Sequence, residues 1–63
     1  MNTQLIIDYM QKHNLTKTAF AKLCGISLLA LNNVLANNKK IKIKTFIKII
    51  NVMGVRAQDL LNF

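Results

Sequence analysis

No proline occurs in the chain, and its only glycines are Gly25 and Gly54. Helices can therefore run unbroken except near those two points, because Gly and Pro are the strongest local interrupters of regular structure. The apolar residues recur at helical spacing between them. Leu5, Ile6, Tyr9, Met10 and His13 predict one face of a helix over about residues 3–13, with Asp8 and Lys12 as a favourable i, i+4 pair. Asn14 suits its end, since Asn tolerates the left-handed conformation. Thr16 is a natural N-cap for a second helix, with Phe20, Ala21 and Cys24 inward and Gly25 as its stop. Ser27 caps a third helix over about 28–36 with Leu31, Val34 and Leu35 inward, ended by Asn37 and Asn38. The stretch NNKKIKIK (37–44) alternates with period two, but a lone strand has no partner, so an extended loop is expected. A fourth helix over about 44–53 turns Phe46, Ile49, Ile50 and Met53 inward and ends at Gly54. A short fifth, about 57–62, carries Leu60 and Leu61. The expectation is an all-α fold of five helices in a single domain, residues 1–63.

Size narrows the function. A chain of 63 residues buries only about 60% of its unfolded surface, which argues against an enzyme with a deep cleft. A lone cysteine allows no internal disulfide, and one Cys with one His makes no zinc set. Cys24 reads as a small core residue and His13 as a boundary residue, so no metal, cofactor or catalytic residue is expected. The longest apolar run, 28–31, is far short of the roughly 20 residues that span a membrane. With no basic segment leading into an apolar run at the N-terminus, a soluble cytoplasmic protein is expected.

The formal net charge of +7 has three ordinary sources: a nucleic-acid footprint, a membrane-surface patch, or compositional drift. Drift has weight here, because Asn, Ile and Lys number eight each and all have AT-rich codons. Position separates the three. Lys39, Lys40, Lys42, Lys44 and Lys48 fall within ten residues, just after the third helix. A basic membrane-active helix would spread its charges along one face instead.

Two short helices joined by a Gly-containing turn, about residues 16–36, form a helix-turn-helix unit. In DNA-binding versions the second helix enters the major groove and its N-terminal residues meet base edges. LTKTAFAKLCGIS (15–27), Asn37 and TFIKIINVMGVRAQDLL (45–61) together resemble the lambdoid-phage repressor and Cro type of helix-turn-helix domain, the XRE family. The match runs without a gap from Leu15 to Leu61, and the first helix fits more loosely.

The resemblance implies a five-helix domain from a phage, plasmid or bacterial chromosome that binds double-stranded operator DNA as a homodimer. It puts Thr16 and Lys17 at phosphate and Ser27, Leu28, Leu29, Asn32 and Asn33 on the exposed side of the recognition helix. It puts Asn37, Asn38, Lys39 and Lys40 on the backbone, and the residues themselves add Lys42 and Lys44 to that basic run. A C-terminal apolar seam in such dimers would involve Ala57, Leu61 and Phe63.

Three departures accompany the resemblance. Leu28 and Leu29 stand where polar base readers are usual; Leu can only pack against a thymine methyl. Together with Leu23 they would also suit a protein partner, as in an antitoxin or anti-regulator. Met10 and Leu35 replace a frequent Arg–Glu pair and are expected to touch, since two apolar groups can replace an ion pair without loss. Lys42 stands where a polar cap is usual, so the fourth helix is expected to start late, near Lys44 or Thr45.

Overall fold

The computed structural model describes residues 2–37 and 41–61, apart from the side chain of Leu61. Five helices follow in order: α1 (Thr3–Lys12), α2 (Lys17–Cys24), α3 (Leu28–Leu35), α4 (Ile43–Met53) and α5 (Ala57–Leu61). No strand occurs among the described residues. Asn38, Lys39, Lys40 and Phe63, named above, lie outside them.

Local chemistry sets most helix ends. The Thr16 Oγ1 accepts the Ala19 N–H at 3.1 Å, and the Ser27 Oγ accepts the Ala30 N–H at 3.0 Å. Each cap satisfies one of the donors that a helix start leaves over. At the C-terminus of α2, Gly25 sits at φ 75° and donates to the Lys22 carbonyl, while Ile26 donates to that of Ala21. That pair of bonds is a Schellman closure. Asn14, at φ 53°, closes α1 in the same way: its N–H bonds the Gln11 carbonyl, and that of Leu15 bonds Met10. Asn37 ends α3 at φ 59° and Gly54 ends α4 at φ 70°.

Ile6, Met10, Phe20, Ala21, Cys24, Leu31, Val34, Phe46, Ile49 and Leu60 form the core. Every helix contributes, and helices this short draw most of their stability from such packing. α2 packs against both α3 and α4, α1 packs on α3, and α5 on α4. Met10 is buried, and Leu35 packs against the same core. Backbone and side-chain bonds tie the ends. The Asn2 N–H donates to the Leu60 carbonyl at 2.6 Å, and the Tyr9 hydroxyl to that of Val52 at 3.3 Å. Burial pushes the Cys24 thiol above its ordinary pKa, as suits a core residue without a charged partner.

Four expectations need correction. α4 begins at Ile43, one residue before the expected Lys44. Lys42 offers no side-chain cap, yet its carbonyl accepts the Phe46 N–H at 3.2 Å, and burial of Phe46 and Ile49 holds that first turn. The expected loop is correspondingly shorter, and Ile41 packs against the core. α1 ends at Lys12, leaving His13 exposed, with its ring 4.3 Å from that of Tyr9. Asp8 accepts from Gln4 at 2.8 Å, and the one ion pair among the described residues is Arg56–Asp59.

Candidate nucleic-acid interface

The axes of α2 and α3 bend by 107° across the turn, within the roughly 90–120° of helix-turn-helix pairs. Buried Leu31 and Val34 anchor α3 from one side. The opposite side is left to solvent: Leu28, Leu29, Asn32 and Asn33 are all exposed, at i, i+1, i+4 and i+5. Leu29 is 71% exposed and Leu28 42%, so neither is held in the core. Asn32 and Asn33 carry amides able to meet a base edge, and Asn bonds adenine through two atoms.

Two helix N-termini belong to the same unit, those of α2 and α3. Thr16 and Lys17 are exposed at the first, Ser27 at the second. Leading N–H groups at a helix start have no intrahelical acceptor and carry partial positive charge. Phosphate is a natural partner for them.

A groove of about 400 Å³ runs between the turn, α3 and the start of α4. Ser27, Leu29 and Asn33 line it from one side and Lys42, Thr45 and Lys48 from the other, with Gly25, Ile26, Ala30 and Ile41 also along it. The fold thus brings Lys42 beside the recognition stripe. Lys44 and Asn37 are exposed but do not line the groove. Asn38, Lys39 and Lys40 lie outside the described residues. Of the expected seam residues, Ala57 is exposed, while the Leu61 side chain and Phe63 lie outside the described part.

Lys48 belongs to the basic run and also reaches the turn. Its Nζ donates to the Gly25 carbonyl at 3.4 Å, tying α4 to the turn. The signal for this grouping was present: Lys42, Thr45 and Lys48 are spaced i, i+3, i+6, one side of a helix. Neither acidic residue, Asp8 or Asp59, belongs to α2, α3 or α4, so the groove's charge comes from lysines. No single helix among the described residues is long and apolar enough to cross a membrane.

A bent, doubly capped helix pair with one exposed face on its second helix and lysines alongside is the arrangement of a helix-turn-helix unit. The helix-turn-helix family matches residues 6–60, and the chain belongs to that family in its repressor and Cro-type (XRE) form. It is a DNA-binding regulator in that general sense. No significant match occurs among curated proteins or among solved structures.

Proposed function

We propose that the protein is a sequence-specific transcriptional repressor that occupies double-stranded operator DNA as a homodimer. It would act in the cytoplasm of a bacterium, for a phage, plasmid or chromosomal operon. The single observation that carries this reading is the groove that Leu29 and Asn33 of the exposed α3 stripe share with Lys42 at the start of α4. Asn32 and Asn33 read base edges, while Leu28 and Leu29 pack against thymine methyls. Ser27, Thr16, Lys17, Asn37, Asn38, Lys39, Lys40, Lys42 and Lys44 hold the backbone on either side.

Scale supports the homodimer reading. The described residues extend at most 24 Å, whereas successive major-groove half-sites lie ~34 Å apart. One copy therefore reads one half-site. Selection of DNA from a random pool by the purified protein, at two salt concentrations, tests the reading. With ~5 phosphates neutralised per protomer, log K should fall with log salt at a slope of about −4.5 per protomer. No enriched motif at low salt would sink specific readout.

A second reading rests on the exposure of Leu23, at 56%, alongside Leu28 and Leu29. These side chains suit a partner protein, as in an antitoxin or anti-regulator. Joint substitution Leu28→Ser and Leu29→Ser separates the two. Loss of a protein partner with DNA binding intact favours the second; loss of DNA binding favours the first.

A further inference from the structure

Which bases a recognition helix selects depends on the chemistry of its exposed side chains. α3 has the sequence LLALNNVL, without Arg, Lys, Gln, Asp or Glu. A G·C pair calls for such residues: guanine presents two acceptors to Arg or Lys, and cytosine an amino donor to Asp or Glu. The chain's single arginine, Arg56, is paired with Asp59 of α5, and its other acid, Asp8, is on α1. What α3 exposes is Leu28, Leu29, Asn32 and Asn33. A carboxamide matches adenine, accepting from N6 and donating to N7, and an aliphatic side chain matches the thymine methyl. Leu29 and Asn33 line the same groove. They are one helical turn apart, roughly 6 Å along the axis. Ser27 lines the groove too, but a hydroxyl selects no particular base, and this one already accepts the Ala30 N–H.

We infer, resting on the DNA-binding reading above, that α3 reads a block of A·T pairs in which Leu29 packs on a thymine 5-methyl and Asn33 bonds an adenine through N6 and N7. Leu28 and Asn32 add the same two chemistries on the exposed side of the helix. Successive base pairs are about 3.4 Å apart, so Leu29 and Asn33 meet pairs within about two steps of each other. Two sensitivities follow from the atoms involved. Deoxyuridine pairs as thymine does but lacks the methyl, so it removes what Leu29 holds. A methyl on adenine N6 takes the place of the hydrogen that the Asn33 carbonyl oxygen accepts, so an N6-methylated site is refused. Both groups are in the major groove. Recognition of A·T sequence through a narrow minor groove would depend on neither.

The test uses the full chain and duplexes selected from a random pool at low salt. In the selected duplex each thymine in turn is replaced by deoxyuridine, and each adenine by N6-methyladenine. An A·T block should be enriched. Deoxyuridine at one position should weaken binding roughly 4-fold, the effect of one buried methyl, and N6-methyladenine at a nearby position roughly 5-fold or more. Leu29→Ser should bind the thymine and deoxyuridine duplexes equally, and Asn33→Ala should be indifferent to the N6-methyl. Both positions are exposed, so the unfolding midpoints should stay close to that of the parent. If a variant fails to fold, the modified duplexes with the parent chain still decide. A motif centred on G·C pairs overturns the inference and leaves DNA binding standing, as does a guanine preference that disappears in Lys42→Ala. An A·T motif indifferent to both modified bases overturns it as well. No enriched motif overturns both this inference and the DNA-binding reading.

Discussion

Lys48 on α4 donates a hydrogen bond to the backbone carbonyl of Gly25, 23 residues earlier, at 3.4 Å. The ammonium is thereby set at the negative end of α2, where unsatisfied carbonyls favour a cation. Lys48→Ala should lower stability by less than about 1 kcal/mol, because the contact is exposed. Its effect should show in DNA affinity, through a looser turn and a less defined angle of α3. The salt slope should stay unchanged, because this lysine holds a carbonyl rather than a phosphate. A slope reduced by about 1 would show instead that Lys48 moves to the DNA backbone.

Asn32 and Asn33 differ from the lysines in the kind of loss each predicts. Asn32→Ala or Asn33→Ala should cost about 1–3 kcal/mol on a selected site and relax the preferred base, leaving the salt slope intact. Lys42→Ala or Lys44→Ala should weaken binding to all sequences and reduce the slope by about 1 each. Titrations on matched and scrambled duplexes at several salt concentrations separate the two patterns.

Gly25 is required for its backbone angle and not for space. A Cβ placed there meets nothing within 4 Å, yet φ is 75°. Gly25→Ala should therefore destabilise by about 1–2 kcal/mol, and Gly25→Asn by less, since Asn enters the left-handed region more readily. Urea unfolding should rank the three proteins Gly, Asn, Ala.

Thr16 and Ser27 each satisfy one helix-start donor. Thr16→Ala and Ser27→Ala should each cost about 1 kcal/mol, and substitution by Gly only a few tenths. In a domain this small, 1 kcal/mol lowers Tm by roughly 4–8 °C, which thermal denaturation followed by circular dichroism resolves.

Burial raises the pKa of Cys24 above its ordinary thiol value. The folded state thus holds the thiol proton to higher pH than the unfolded state does. Stability is unaffected below the unfolded thiol's pKa and falls as pH rises above it. Cys24→Ala should remove this alkaline loss while lowering stability at neutral pH by leaving a small cavity. A thiol reagent at neutral pH should reach Cys24 only through opening of the fold.

The number and order of the helices were legible from the chain alone because their causes are local. Thr16 and Ser27 carry hydroxyls that cap. Gly25, Gly54 and Asn14 accept left-handed backbone angles. Leu31, Val34, Phe46 and Ile49 repeat at helical spacing. The exposed stripe of Leu28, Leu29, Asn32 and Asn33 was legible for the same reason. Tertiary contacts decided the rest. α4 begins at Ile43 without a side-chain cap because Phe46 and Ile49 bury against other helices, a gain that no local signal near Lys42 reveals. Lys42 shares a groove with the exposed α3 side chains, and Lys48 reaches Gly25, only because α4 packs on α2 beside the turn. Residues so far apart in sequence meet through packing, and packing is a property of the assembled core rather than of any one helix.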